Sequence, residues 1–144
     1  MIAVDTNVVL RRLLQDDAAQ SIKVNQLFAR ASGILMTDVV LAEVVWTLAG
    51  KRYGASRDDI VAAITSLFEE PTIHFEHRAT VWAALNDYAT AASIKTSNGH
   101  RTADFADALI VRKAIATINA RGEPYEGTYT FDEPAQRLAG TKPP

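Results

Sequence analysis

Acidic residues follow two of the apolar segments that this sequence offers as strands. Asp5 comes directly after residues 2–4 and before a segment whose apolar residues have helical spacing. Asp132 comes directly after residues 129–131, and a short helix is predicted from there through Leu138. In open α/β sheets, ligands bind at the carboxyl ends of the strands. Both acids are therefore candidate ligand-binding residues, although each could instead cap the helix that follows it.

Glu43 lies inside a predicted helix over residues 39–52 that is apolar on nearly every face. A buried glutamate is rare unless it is paired or binds a metal. One alternative is a salt bridge to Arg11 or Arg12 from another element. The other is a single solvent-exposed stripe on a mostly buried helix.

Asp104 and Asp107 are three residues apart in a predicted helix over residues 102–120, so they share a helix face. Asp104 stands near the helix start, where interaction with the helix dipole explains an acid without any function. Asp107 is expected a full turn further in, between Ala106 and Ala108, and these small neighbours would let a ligand approach. Asp107 is therefore the better functional candidate of the two.

Several carboxylates at one place need a cation. Two of them 5 Å apart repel by about 3 kcal/mol at an effective dielectric near 20, and each raises the proton affinity of the other. A hard divalent ion removes this repulsion, and a ligand set without His or Cys favours Mg²⁺ or Mn²⁺ over Zn²⁺. We interpret His74, His77 and His100 as ordinary strand and loop residues. Magnesium held by carboxylates most often serves phosphate chemistry.

The elements that would position these acids alternate between strands and helices. Further strands are predicted at residues 34–37 and 72–76, with a loop at residues 96–100. Such alternation predicts a parallel sheet with helices on both faces. Strand ends and the helix starts that follow them lie at one edge of such a sheet, so the acids can converge there.

The composition is that of an ordinary globular protein. The chain has 144 residues, is 48% hydrophobic, has a formal net charge of -2 and contains no cysteine. We expect a single domain over residues 1–138 and a flexible tail over residues 139–144. No apolar run has transmembrane length and no signal peptide is recognisable, so a cytoplasmic protein is expected.

Five short motifs resemble those of PIN-domain nucleases, and specifically the VapC-like toxins of bacterial toxin–antitoxin pairs. They are Ile2-Ala3-Val4-Asp5-Thr6-Asn7, Leu13-Leu14-Gln15-Asp16-Asp17, Leu41-Ala42-Glu43-Val44, Asp104-Phe105-Ala106-Asp107-Ala108-Leu109-Ile110 and Thr130-Phe131-Asp132. Each motif is weak alone. Their order and spacing extend the resemblance from Met1 to about Leu138.

The resemblance implies a PIN-like three-layer α/β/α sandwich with a short central parallel sheet of four to five strands. It also implies a metal-dependent endoribonuclease that uses one or two Mg²⁺ or Mn²⁺ ions. The expected partners are the RNA substrate, a second copy in a homodimer, and a VapB-like antitoxin in a hetero-oligomer.

By motif position, the resemblance assigns catalysis and metal binding to four acids, namely Asp5, Glu43, Asp107 and Asp132. Thr6 and Thr130 would orient the carboxylates, and Asp104 would be auxiliary, with the choice between Asp104 and Asp107 as direct ligand left open. Once Asp5 is interpreted as a metal ligand, Thr6 becomes the expected helix cap. Candidates for RNA binding are Arg11, Arg12 and Arg112.

Three alternatives compete with this interpretation. A haloacid-dehalogenase-like phosphatase needs a second Asp two residues after the first, where this chain has Asn7. A phospho-acceptor signalling domain needs adjacent acids after the first strand, and Asp5-Thr6 does not supply them. A catalytically silent interaction module on the same fold is compatible with every residue.

Overall fold

The computed structural model describes residues 1–144, which form two units, Met1–Arg78 and Ala79–Pro144. Each unit has its own strands and helices, and each carries part of the predicted acidic set. None of the helices combines the length and the apolar composition that crossing a bilayer requires.

A three-stranded parallel sheet forms the centre of the first unit. Its strands are β1 (Ile2–Ala3), β2 (Ile34–Met36) and β3 (Ile73–Phe75), in the order β1-β2-β3. In the register, Ile34 lies beside Ile2 on one side and beside Ile73 on the other. Ile34 and Met36 are fully buried, so the central strand is anchored by its two outer residues.

Four helices follow the strands of the first unit. They are α1 (Thr6–Leu14), α2 (Ala18–Arg30), α3 (Asp38–Ala49) and α4 (Arg57–Glu69). Helix α1 packs against α2 and α3, and α3 packs against α4. The fully buried side chains of Val9, Leu41, Val44 and Ile64 fill the space between these helices and the sheet.

The second unit is built on two helices and two small sheets. Its elements are α5 (Arg78–Thr90), β4 (Ile94–Thr96), β5 (Gly99–Arg101), α6 (Phe105–Ala120), β6 (Thr128–Tyr129), a 3-10 turn (Ala135–Arg137) and β7 (Thr141–Lys142). The β4–β5 pair is antiparallel and the β6–β7 pair is parallel. Tyr88 of α5 meets the buried Phe105 of α6 edge to face, with ring centroids 6.1 Å apart.

The expected α/β class with a parallel sheet is confirmed. The expected number of four to five strands is wrong, because the last predicted strand joins another sheet. It is shorter than expected, Thr128–Tyr129, and it pairs with β7. The final helix is a single 3-10 turn, Ala135–Arg137, preceded by Pro134.

Two segments predicted to lack regular structure form strands. The expected loop at residues 96–100 is part of the β4–β5 hairpin, where Gly99 has a φ of 100° that favours glycine. The expected tail contains β7, held by hydrogen bonds of 2.8 Å from the Thr128 amide to the Gly140 carbonyl and 3.0 Å from the Thr130 amide to the Lys142 carbonyl. Backbone pairing, rather than burial of apolar side chains, orders this segment.

Candidate functional site

Asp5 lies two residues after the end of β1 and immediately before α1. Its Oδ1 accepts a hydrogen bond of 3.0 Å from the Val8 amide, so Asp5 is the helix cap. The expectation that Thr6 would cap the helix is therefore wrong. Capping uses Oδ1 alone, and the side chain is exposed, so Oδ2 still faces solvent. A helix cap at this position is compatible with ligand binding.

Glu43 is connected to the start of α1 through Thr6, whose hydroxyl donates a hydrogen bond to Glu43 Oε2. This contact fixes one carboxylate oxygen and leaves Oε1 for another partner. The expectation that Thr6 orients a carboxylate agrees with this geometry.

The exposure of the residues around Glu43 distinguishes between a salt bridge to an arginine and a solvent-exposed stripe on the helix. Leu41 and Val44 are fully buried, whereas Val39 and Trp46, on the same side as Glu43, are 70% and 80% exposed. Glu43 therefore lies on an exposed stripe of a helix that is otherwise buried. It forms no salt bridge with Arg11 or Arg12, because each of these arginines has another acidic partner.

The three arginines expected to bind RNA are all neutralised by acids within their own unit. In the order Arg11, Arg12, Arg112, the partners are Asp16, Glu70 and Asp87. Arg112 holds its partner with two hydrogen bonds of 2.6 and 2.7 Å, and this interaction raises the pKa of the guanidinium. The expected RNA contacts of these side chains have no support in this geometry.

Asp104 and Asp107 cap helix α6 reciprocally. Asp104 Oδ1 accepts from the Asp107 amide at 2.9 Å, and Asp107 Oδ2 accepts from the Asp104 amide at 3.0 Å. Asp104 lies at the helix start, as expected. The expected position of Asp107 is wrong, because α6 begins at Phe105 and places Asp107 in the first turn.

Asp107 is half-buried, and its environment disfavours ionisation. Burial is the largest cause that raises the pKa of this carboxyl, and the negative charges of Asp104 and Asp132 raise it further. Hydrogen bonding from the Asp104 amide acts in the opposite direction. The second unit therefore gathers three carboxylates close enough to influence one another.

Asp132 lies just before the 3-10 turn and contacts the guanidinium group of Arg101. Its Oδ2 accepts from the Ala135 amide at 2.9 Å, and its Oδ1 lies 3.4 Å from a guanidinium nitrogen of Arg101. The Thr130 hydroxyl accepts a hydrogen bond of 3.1 Å from the Asp132 amide. Thr130 thus fixes the backbone of Asp132, whereas Thr6 contacts a carboxylate directly.

The donor atoms in both units fit a hard divalent cation. All of the candidate ligands are carboxylate oxygens, which Mg²⁺ and Mn²⁺ prefer. In the second unit, Asp104 and Asp132 lie close enough to Asp107 for their charges to add to the effect of burial on its pKa, and a cation would offset that repulsion. In the first unit, Asp5 and Glu43 each present an exposed carboxylate whose other oxygen is already fixed.

A further cluster in the first unit was not predicted as a site. His77 Nδ1 lies 3.0 Å from Asp38 Oδ2, and the Asp38 amide donates to Glu76 Oε2 at 3.0 Å. Their ligand atoms lie within 4.8 Å of one another, which is close enough to hold a metal ion. The signal was available, because these residues follow β2 and β3 as Asp5 follows β1. Asp38 does not cap α3, because Thr37 fills that role.

The comparisons with known proteins agree with the motifs. A crystal structure of Mycobacterium tuberculosis VapC20, described as a sarcin–ricin loop cleaving toxin, matches with a TM-score of 0.41 and 18% identity, over 94% of this chain and 93% of that one. The curated proteins gave no match. The family model of the PIN domain matches residues 2–118, which include Asp5, Glu43 and Asp107. Since this match covers most of the sequence, the chain belongs to the PIN domain family.

Proposed function

We propose that the protein is a metal-dependent endoribonuclease that hydrolyses RNA phosphodiester bonds with one or two Mg²⁺ or Mn²⁺ ions. The observation that carries this proposal is the half-buried Asp107, held among other carboxylates with a raised pKa in a member of the PIN domain family. Acids with perturbed pKa values cluster at functional sites. A bound cation would offset the repulsion between Asp107 and the charges of Asp104 and Asp132.

Four acids carry the catalytic and metal-binding roles in this proposal, namely Asp5, Glu43, Asp107 and Asp132. In each, a hydrogen bond to one carboxylate oxygen restricts the side chain: the donors are the Val8 amide, the Thr6 hydroxyl, the Asp104 amide and the Ala135 amide. Because these side chains are already restricted, they lose less conformational entropy when a ligand binds. Thr6 is the positioning residue for Glu43, and Asp104 is an auxiliary acid.

When bound, the cation supplies an activated water and stabilises the charge that develops on the phosphate. The four acids would hold and orient the cation. Without a cation, their negative charges would repel an RNA phosphate. The proposal therefore predicts a strict metal requirement.

The biological role that we propose is that of the toxin in a VapBC-like toxin–antitoxin module in the cytoplasm. A homodimer and a VapB-like antitoxin are the expected protein partners. Support comes from the first unit, where a cavity of about 380 Å³ lies between α1, α3 and α4. Leu13, Leu14, Leu48 and Tyr53 line it, so it fits the apolar side chains of an antitoxin segment.

The test of the proposed activity is incubation of the purified protein with total bacterial RNA, in Mg²⁺ and in EDTA. We expect discrete cleavage products in Mg²⁺ and none in EDTA. Intact RNA under both conditions would contradict the proposal and favour a silent interaction module.

A thermal-shift titration with Mn²⁺ tests the same site independently of RNA. Binding to the native state raises the melting temperature by mass action. Absence of any shift at millimolar Mn²⁺ would argue against a metal site of any kind.

A further inference from the structure

Arg101, the last residue of β5, is the cation that contacts the acidic group of the second unit. Its guanidinium lies 3.4 Å from Asp132 Oδ1, and the two side chains are 52% and 35% exposed. Arg112 of the same unit is committed to Asp87 instead. Arg101 therefore supplies the positive charge that is nearest to an acid of the proposed site.

The two oxygens of Asp132 have different partners. Oδ2 accepts the Ala135 amide and thereby holds the turn that follows, whereas Oδ1 faces Arg101. Oδ1 is therefore the oxygen that a cation can approach without competing with the Ala135 amide. The bound cation and the guanidinium are both positively charged, so they would repel each other when both lie beside Oδ1.

We propose that Arg101 competes with the divalent cation for Oδ1 of Asp132, so that the guanidinium holds this carboxylate until the metal displaces it. The inference rests on the proposed metal-dependent function. Arg101 is a positioning residue in this scheme, because it acts on the metal through Asp132.

The β4–β5 hairpin allows the displacement. Gly99, His100 and Arg101 are all exposed, so the guanidinium can leave without opening the core. Exposed ion pairs are weak, and the stabilisation that they provide corresponds to about a two- to fivefold change in an equilibrium constant. Competition should therefore weaken metal binding by a modest and measurable factor.

Lys95 provides a matched control. It lies on β4 of the same hairpin, in register with His100, so its side chain leaves the opposite face from that of Arg101. Lys95→Gln and Arg101→Gln each remove one positive charge from the hairpin. Only the second removes the contact with Asp132.

The experiment is a Mn²⁺ titration of metal-free protein at low ionic strength, with free Mn²⁺ followed by electron paramagnetic resonance. We expect Arg101→Gln to bind Mn²⁺ about two- to fivefold more tightly than the wild type, Arg101→Lys to fall between them, and Lys95→Gln to change affinity less than Arg101→Gln. In an Asp132→Asn background the effect of Arg101→Gln should vanish, as a double-mutant cycle requires when one residue acts through the other.

The outcomes separate the two proposals. If the wild type binds Mn²⁺ and Arg101→Gln gains no more affinity than Lys95→Gln, the competition is wrong while the metal site stands. An effect of Arg101→Gln that persists in the Asp132→Asn background leads to the same conclusion. No Mn²⁺ binding by the wild type overturns both the site and the competition.

Discussion

Two reciprocal caps with the same geometry begin α4 and α6, but they leave their acids in different electrostatic states. In the first, the Ser56 amide donates to Asp59 at 2.9 Å and the Asp59 amide donates to Ser56 at 3.1 Å. In the second, Asp104 replaces the serine and the corresponding distances are 3.0 and 2.9 Å. The hydrogen bonds from the backbone amides are equivalent, so they alone do not explain the difference between the two carboxyls.

The surroundings of the two caps explain that difference. Hydrogen bonds from Ser56 lower the pKa of Asp59, which is exposed. Burial raises the pKa of Asp107, and the charges of Asp104 and Asp132 add to this effect. Capping alone accounts for Asp59, because the cap favours its ionised form. Asp107 performs the same capping role while its surroundings disfavour its charge, which is typical of a functional acid.

The first prediction compares two hydroxyl groups at helix starts. Removing the Thr6 hydroxyl as Thr6→Val frees Glu43, and we expect kcat/KM for RNA cleavage to fall by about 10- to 100-fold, as for other groups that orient metal ligands. Removing the Ser56 hydroxyl as Ser56→Ala should lower the free energy of unfolding by about 1 kcal/mol without changing cleavage. Steady-state kinetics and urea denaturation measure the two effects.

Thr6→Ser restores the hydroxyl and should recover most of the activity. Equal kinetic losses in Thr6→Val and Ser56→Ala would show that the Thr6 contact is only structural.

The second prediction concerns the pH dependence of stability in EDTA. A carboxyl whose pKa is raised on folding loses its favourable contribution as the pH rises through the folded pKa, and one whose pKa is lowered loses it as the pH falls. The wild type should therefore lose stability relative to Asp107→Asn as the pH rises above 3.8, the ordinary value for Asp. Relative to Asp59→Asn, it should gain stability as the pH rises toward 3.8 from below, because the pKa of Asp59 is lowered on folding.

Urea denaturation at a series of pH values measures both differences. Both differences in the free energy of unfolding are small. The contrast between the two caps is therefore tested by whether the two differences change with pH in opposite directions. Differences that follow pH in the same direction would contradict the contrast between the two caps.

Sequence reasoning succeeds here where one residue has one local role. The cap before α4 is an example, because Ser56 and Asp59 have the three-residue spacing typical of a capping box and form one. The parallel sheet was predicted from the alternation of strands and helices. This prediction succeeds because each strand or helix buries one of its faces, and the buried face determines the spacing of its apolar residues.

It fails where a residue has two roles or where partners are distant in sequence. The sequence left Asp5 open between helix cap and metal ligand and gave the cap to Thr6, yet Asp5 caps α1. The contact of Thr6 with Glu43, 37 residues away, was expected only from the family resemblance and not from a local pattern. The Asp38–His77 contact spans 39 residues, and only the positions of the two residues after neighbouring parallel strands indicated it. The β4–β5 hairpin had a local signal in Asn98-Gly99, a pair that favours tight turns, but the absence of apolar alternation obscured it.

The most direct test of the account is the rate of Mg²⁺-dependent RNA cleavage by Asp107→Asn and by Asp59→Asn. Both substitutions are isosteric, and asparagine retains the oxygen that accepts the capping hydrogen bond, so both helices should still form. We predict that Asp107→Asn lowers kcat/KM by about 100-fold or more, since even groups that only orient metal ligands are worth 10- to 100-fold, while Asp59→Asn leaves it unchanged. Cleavage by Asp107→Asn at the wild-type rate would contradict the assignment of Asp107 as a metal-binding catalytic acid.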